Sequence, residues 1–234
     1  MSSCPAPNAA PHPRPAAWFR PAVLLLALRG FWAPWLTRPP AAGAGGNWGA
    51  AALQLNAYEL SEWLTFLPAA QAGELPVGRL DFLLPSACLA GLFALAAAEG
   101  RRGRGRLGAL LPSSAGGWLN LILGGLCALA VFPYYPYILT AYADPEFRLQ
   151  FWVAAAALLG AAALQWLQDD AAALAQSALG LAGVYFTLRA VGGLWPAAGA
   201  VLGAGDLGWG VVAALAGFGG TLLEGGRRLF RPRQ

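Results

Sequence analysis

Six apolar stretches separated by short polar breaks dominate the pattern along the chain. Each approaches or exceeds the roughly 20 residues that a helix needs to cross the ~30 Å hydrocarbon core of a bilayer. The predicted spans are 18–36, 80–98, 117–142, 149–167, 171–195 and 207–223. The pattern therefore predicts an all-α fold, a polytopic transmembrane helix bundle of about six spans.

Three segments fall outside this apolar pattern. Residues 1–17 are rich in Pro, Ala and Ser and have no apolar period, which predicts a disordered tail. Residues 37–79 form a long polar insert between the first two spans, and residues 224–234 form a basic tail. We therefore expect one membrane domain, 18–223, with a tail at each end.

The long insert contains one amphipathic segment, Leu53–Leu67. Its apolar residues recur at i, i+3, i+4 and i+7, which is one face of a helix. Asn56 and Glu59 resemble a capping box at its start, and Pro68 is expected to stop it. We predict a helix in the membrane interface or on the bundle. Its predicted apolar face consists of Leu60, Trp63, Leu64 and Leu67.

Two connections between spans carry strong turn signals. Pro133 and Pro136 interrupt the third span within FPYYPY, where they remove backbone donors and predict a kink or an early helix end. The tyrosines of this segment suit a membrane interface, although a binding cavity is the alternative. Gln168-Asp169-Asp170 is so short that spans four and five are expected to form an antiparallel hairpin.

The first span shares some features with a signal peptide. Arg14 and Arg20 precede its apolar run, and Ala42-Gly43-Ala44 offers a small-x-small cleavage site. Arg29, however, interrupts the run, and aromatic residues follow it. We therefore expect the first helix to be retained.

Composition supports a membrane protein. Of the 234 residues, 58% are hydrophobic and 11% are charged, and the mean hydropathy is +0.53. Soluble domains carry about 25% charged residues. The formal net charge is +4, and all 15 basic residues are Arg. Because these arginines lie at span ends rather than on one soluble face, they do not predict nucleic-acid binding.

The distribution of arginine predicts the orientation. With the N-terminus in the cytoplasm, three arginines fall outside: Arg38, Arg79 and Arg148. Ten fall inside: Arg14, Arg20, Arg101, Arg102, Arg104, Arg106, Arg227, Arg228, Arg231 and Arg233. Lys and Arg concentrate in cytoplasmic loops. We therefore predict a multi-pass protein of the cell membrane with both termini cytoplasmic and residues 37–79 external.

The sequence lacks the residues that most catalytic and cofactor sites require. His12 is the only histidine and Met1 the only methionine, so the usual haem, copper, non-haem iron and His-based zinc sites have no ligands. The chain has no GxSxG or HExxH motif and no Lys for a phosphate-binding loop. Asp169 and Asp170 are interpreted as acids of a solvated turn. We predict a non-enzymatic protein with no cofactor and no metal.

Two arginines inside spans, Arg29 and Arg189, are the candidate site residues. A charge in hydrocarbon costs roughly 2.5–3.5 kcal/mol on insertion scales, so it normally has a partner or a use. One interpretation is an outward-facing anion-binding site with both guanidinium groups. The other is structural: snorkelling to the interface, or pairing with acids such as Glu59, Glu62 or Asp206.

Other polar residues in spans have structural explanations. Gln165, Gln168 and Gln176 are expected to make interhelical hydrogen bonds, with a permeation path as the alternative. Cys88 and Cys127 are expected to be buried thiols, and they can be bridged only if neighbouring helices hold them at the same depth.

These features favour an accessory or structural subunit of a larger membrane complex, with the lipid bilayer and other membrane subunits as partners. Small residues four apart suggest close helix packing. They occur in Gly124-xxx-Ala128, Ala213-xxx-Gly217 and Ala216-xxx-Gly220. The alternative is a permease-type component for small-solute transport, with the anion site at Arg29 and Arg189. A membrane enzyme has the weakest support.

Overall fold

The computed structural model describes residues 18–38, 53–99, 114–202 and 206–230. The predicted tail 1–17, the small-x-small site at 42–44 and the arginine cluster 101–106 lie outside these ranges. The described ranges include Cys88 and Cys127 and the candidate residues Arg29 and Arg189.

The described chain is mainly helical, as predicted. A short 3-10 turn, Tyr137–Leu139, follows α5. The α-helices are α1 Phe19–Trp32, α2 Ala57–Thr65, α3 Pro68–Gln71, α4 Arg79–Ala98, α5 Ala115–Leu129, α6 Arg148–Leu164, α7 Asp169–Leu202 and α8 Trp209–Leu229.

Two described helices are long and apolar enough to cross a membrane. They are α4, over Arg79–Ala98, and α7, over Asp169–Trp195. Helices α5 and α6 are apolar but shorter. In α4, 72% of the apolar window is buried inside the protein, and the core helix of a soluble protein has the same property. Length and composition therefore establish a helical fold with two candidate spans, but not six.

The all-α class is confirmed, since the strands beside the helices form only one small antiparallel sheet. Its strands are β1 Leu36–Arg38, β2 Leu53–Leu55 and β3 Asp206–Leu207, in the order β2-β1-β3. The predicted first span therefore ends four residues early, at Trp32. The cause is local, because Pro34 favours an extended conformation at Ala33, the C-cap of α1.

The amphipathic segment is shorter than the predicted helix Leu53–Leu67. Its first three residues form β2, and α2 covers only Ala57–Thr65. The predicted capping box is confirmed: the Glu59 backbone N donates to Asn56 Oδ1 at 2.9 Å, and the Asn56 backbone N donates to Glu59 Oε2 at 2.8 Å. Pro68 begins α3 rather than simply stopping α2, since proline is well suited to the first position of a helix.

The predicted boundaries of three later spans also change. Helix α5 ends at Leu129, so the predicted span 117–142 is helical only in its first part, and the proline-rich segment is non-helical as its composition suggested. Helix α7 begins at Asp169, whose carboxylate favours a helix N-terminus. Helix α8 continues to Leu229, well into the predicted basic tail 224–234.

Helix α4 is the centre of the fold. It packs against α1, α2, α5, α6 and α7, while α8 packs against α1 and α7. The largest side chains of the core are almost completely buried: Phe31, Trp35, Phe82, Phe93 and Phe218.

Glycines allow α1 and α8 to approach at backbone contact. A Cβ placed on Gly217 would lie 2.3 Å from the backbone N of Ala27, and one on Gly30 would lie 2.2 Å from that of Ala214. The predicted pair Ala213-xxx-Gly217 thus belongs to this interface. In Ala216-xxx-Gly220, only the glycine faces α1, because Ala216 is exposed.

The third predicted small-residue pair lies in a different interface. In Gly124-xxx-Ala128 on α5, a Cβ on Gly124 would lie 3.1 Å from the carbonyl O of Ala90 on α4, and Ala128 is fully buried.

Candidate functional site

Charged side chains gather at both ends of α4. We call the group at its C-terminal end the Glu99 layer, comprising Arg20, Glu99, Glu224 and Arg228. Glu99 forms ion pairs with Arg20 of α1 and Arg228 of α8. Arg228 Nη2 also pairs with Glu224 Oε1 at 2.6 Å. This layer therefore joins the ends of α1, α4 and α8 electrostatically.

One glutamine extends the Glu99 layer to a fourth helix. Gln176 of α7 is almost fully buried, and its Nε2 donates to Glu224 Oε2 and to the carbonyl O of Thr221, each at 3.2 Å. The interhelical role predicted for this glutamine is thus present in the structure.

At the opposite end of α4 lies the Asp81 layer, comprising Glu62, Arg79, Asp81 and Arg189. Arg189 Nε donates to Asp81 Oδ1 at 2.6 Å. Asp81 Oδ2 accepts from the backbone N of Gly78 at 2.8 Å, which caps α4. Asp81 therefore caps the N-terminus of α4 with one carboxylate oxygen and pairs with Arg189 through the other.

The second ion pair of the Asp81 layer joins Arg79 to Glu62 of α2. The guanidinium carbon of Arg79 lies 5.1 Å from the ring centroid of Phe147 and 5.9 Å from that of Tyr134. These distances are typical of cation–π contacts. Burial raises the pKa of nearby Tyr58, and Glu62 raises it further, so the phenol stays neutral at physiological pH.

The two layers are separated by nearly the thickness of a bilayer core. Asp81 and Glu99 both belong to the α4 region, and 18 helical steps of ~1.5 Å place them about 27 Å apart. The hydrocarbon core of a bilayer is ~30 Å thick.

The outer faces of four helices carry large exposed hydrophobic side chains. They include Leu119, Ile122, Leu126 and Leu129 on α5, Leu158 and Leu159 on α6, Leu174, Leu181 and Leu188 on α7, and Val212 and Leu223 on α8.

Exposed aromatic residues occur near helix ends at both layers. Trp18, Trp118 and Trp166 lie at the same ends of α1, α5 and α6 as the Glu99 layer. Trp32, Trp195 and Trp209 lie toward the other ends of α1, α7 and α8. Trp and Tyr concentrate at both interfaces of membrane proteins.

The predicted site residues Arg29 and Arg189 have separate partners. Arg189 pairs with Asp81, whereas the guanidinium carbon of Arg29 lies 5.6 Å from the ring centroid of Trp209. Neither contact involves the other arginine. The composition of the Asp81 layer was not predicted: Glu62 was considered a partner for the candidate arginines, but it pairs with Arg79.

The predicted face of the amphipathic helix is turned inward. Leu60, Leu64 and Leu67 are buried, Trp63 is partly buried against the same core, and Glu59 is exposed. The helix packs on α4 and α1, so the bundle contributes at least part of the surface that covers it.

The cysteines in helices are free thiols. Cys88 and Cys127 are both buried, and no disulfide joins them. Within the described ranges, no three His, Cys, Asp or Glu side chains come together to hold a metal ion.

No family model matches the chain, and no curated protein or solved structure shows significant similarity to it.

The Asp81–Arg189 pair predicts a measurable coupling. Asp81→Asn keeps an oxygen that can cap α4 but removes the charge that faces Arg189. We expect Asp81→Asn and Arg189→Gln each to destabilise the purified protein, and the double variant to lose less than the sum of the two. Because Arg189 is half exposed, the coupling should be small but measurable. Thermal unfolding of the four proteins measures it, and strict additivity would contradict a direct pair.

Proposed function

We propose that the chain is a non-catalytic, multi-pass protein of the cell membrane that serves as an accessory or structural subunit of a membrane complex. The observation that carries the membrane part is the pair of charged layers about 27 Å apart, joined by helices that expose many large hydrophobic side chains. In this proposal α1, α4, α5, α6, α7 and α8 all cross the bilayer.

The positions of the layers support alternating helix directions. The Glu99 layer contains residues near the start of α1, the end of α4 and the end of α8. The Asp81 layer joins the start of α4 to the second half of α7. A chain that crosses the membrane at every apolar helix places its polar ends in this way.

The lengths of the helices are compatible with six membrane crossings if residues next to the helix ends also lie in the bilayer. Helices α1, α5 and α6 have 14, 15 and 17 residues, which gives about 21 to 26 Å. Local bilayer thinning and interfacial side chains accommodate a deficit of a few Å at modest cost.

Arginine supplies the orientation in this proposal. Four arginines, at 101, 102, 104 and 106, follow α4. Arg227 and Arg228 lie in the last turn of α8, and Arg231 and Arg233 follow that helix. Positive residues remain in the cytoplasm. The Glu99 layer and both termini are therefore cytoplasmic, while α2, the three-stranded sheet and the Asp81 layer face outward.

The subunit role is supported by how the polar residues are used. The charged residues of both layers are engaged in ion pairs that hold helices together. If the charged residues of a protein serve its own fold, the simplest role left for the protein is contact with other chains. The ion pairs support the proposed structural role.

The subunit role is tested by the mass of the complex that the protein forms in its native membrane. We expect the tagged chain, expressed at its natural level and extracted in mild detergent, to migrate with at least one other membrane protein in a fixed stoichiometry. Native mass spectrometry and chemical cross-linking before extraction measure this. A protein that is monomeric under both conditions would contradict the role.

The transport alternative places an outward-facing anion site at Arg29 and Arg189. Such a site needs both guanidinium groups to share one ligand without protein counter-ions. The Asp81 carboxylate already neutralises Arg189, and Arg29 stacks on Trp209. These separate contacts favour the structural subunit.

A further inference from the structure

Arg29 of α1 is an exposed arginine whose charge is not neutralised by an acidic side chain of the described ranges. Within those ranges, its guanidinium group makes no ion pair or hydrogen bond, and it lies over the ring of Trp209 on α8. Arg189, the other arginine inside a predicted span, instead pairs with Asp81. Arg29 is therefore available to an anion that the chain itself does not supply.

The contact with Trp209 leaves the N–H donors of Arg29 free. The guanidinium carbon lies 5.6 Å from the ring centroid, a distance typical of a cation–π contact. A ring attracts the cation as a whole but offers its N–H groups no oxygen acceptor. Those N–H groups form a planar fork that matches two oxygens of a phosphate group. Trp209 is 50% exposed and Arg29 is exposed, so a ligand can reach the fork.

The Arg29–Trp209 pair lies near the outer ends of its two helices. Arg29 is one helical turn before Trp32, the last residue of α1, and Trp209 is the first residue of α8. If both helices cross the bilayer, this level adjoins the phosphate groups of the outer leaflet, and the long arginine side chain can extend towards them. The inference therefore rests on the membrane part of the proposed function.

Exposed apolar side chains continue from this pair towards the middle of the bundle. Leu25 and Leu26 lie one helical turn before Arg29 on the same face of α1, and Val212 lies one turn after Trp209 on α8. An amphiphile whose anionic group binds Arg29 can therefore lay an apolar chain over these three side chains.

We propose that Arg29 and Trp209 form a binding site for the phosphate group of a phospholipid in the outer leaflet. The guanidinium group donates to two phosphate oxygens, while the ring of Trp209 holds it beside α8. An acyl chain of the same lipid lies along Leu25, Leu26 and Val212.

The surroundings of Arg29 favour a lipid over a soluble anion. A single exposed charge pair contributes little affinity in water, and the neighbouring exposed side chains on α1 are apolar. A phospholipid held in the bilayer presents its phosphate at a high effective concentration, and its chains suit the apolar neighbours. Asp206, the acid nearest to Trp209 in the sequence, is exposed and makes no ion pair with Arg29.

Binding of matched amphiphiles to the purified full-length protein in mild detergent tests the proposal. The probes are dioleoylphosphatidylcholine, dioleoylglycerol, which lacks the phosphate, and glycerophosphocholine, which lacks the chains. Native mass spectrometry measures the fraction of protein that retains each probe. We expect saturable binding of the phospholipid and roughly tenfold or more weaker binding of each truncated probe. Equal binding of dioleoylglycerol would overturn recognition of the phosphate, and equal binding of glycerophosphocholine would show a site for soluble anions instead.

A matched pair of arginine variants tests the position of the site. Arg29→Gln should weaken binding of the phospholipid roughly tenfold or more. Arg38→Gln removes an exposed arginine on β1, near the same end of α1, and should leave binding unchanged. Arg29→Lys keeps the charge but loses the planar fork, so it should bind more tightly than Arg29→Gln. Equal binding by Arg29→Gln and the unaltered protein would overturn the site.

A photoreactive phospholipid in vesicles separates failure of the site from failure of the proposed function. With a diazirine in its acyl chain, we expect adducts at Leu25, Leu26 and Val212 that unlabelled phospholipid displaces and that Arg29→Gln largely loses. Adducts that are spread evenly over the exposed apolar residues and unchanged by Arg29→Gln would overturn the site alone. The absence of adducts on every helix would contradict the membrane part of the proposed function and the site together.

Discussion

Replacing Glu99 by Gln is expected to lower the free energy of unfolding by about 2 to 3 kcal/mol, less than the ~3–5 kcal/mol for breaking a fully buried pair. Glu99 neutralises Arg20 and Arg228 together, and the Arg20 side chain is only 10% exposed. The loss is smaller than the full value because the Glu99 side chain is 32% exposed. The variant removes the carboxylate charge that faces both arginines.

Glu74→Gln is the matched control for this prediction. It makes the same chemical change at an exposed position, and exposed substitutions of this kind usually stay within about 0.5 kcal/mol. Unfolding of the detergent-purified proteins by heat or denaturant compares the two. If Glu99→Gln were as stable as Glu74→Gln, the Glu99 layer would not hold the helices together.

The second large effect is expected at the interface of α1 and α8. Gly217→Val places side-chain atoms where the backbone of Ala27 lies, because a Cβ there would be 2.3 Å from the Ala27 N. A backbone atom cannot move aside as a flexible side chain does, so the helices must separate. Overpacking of this kind typically costs about 1–3 kcal/mol, occasionally more.

Gly219→Val provides the comparison within the same helix. A Cβ on Gly219 would have no atom within 4 Å. Both variants change helix propensity alike, so the difference between their melting temperatures isolates the packing of α1 on α8. Equal melting temperatures would show that the two helices do not touch at Gly217.

Most helix positions can be predicted from the sequence, because the length of an apolar stretch and the residues of the adjoining turns determine them locally. The capping box at Asn56 and Glu59 and the early helix end near Pro133 follow from neighbouring residues. The three-stranded sheet was missed because its strands have only two or three residues and come from positions as distant as Leu36 and Leu207. No periodicity can reveal so short a pairing.

The charged layers were difficult to predict for a similar reason. Arg189 was identified from its cost in an apolar span, but its partner Asp81 lies 108 residues away. The pairing depends on α4 and α7 lying side by side, which the sequence pattern does not specify. A search for acidic residues within one helical turn of each predicted span end would have identified Asp81, Glu99 and Glu224 as candidate partners.

The central claim is that all six apolar helices cross the membrane, and cysteine accessibility tests it most directly. In a protein without Cys4, Cys88 and Cys127, single cysteines are introduced as Gly45→Cys and Gly105→Cys. They are then labelled in intact cells with a maleimide that does not cross membranes. Our account predicts labelling of Gly45→Cys, because 37–79 is external, and no labelling of Gly105→Cys until the cells are opened. If only α4 and α7 cross and the N-terminus is cytoplasmic, the pattern is reversed: Gly105→Cys reacts in intact cells and Gly45→Cys does not. That result would contradict the six-span account.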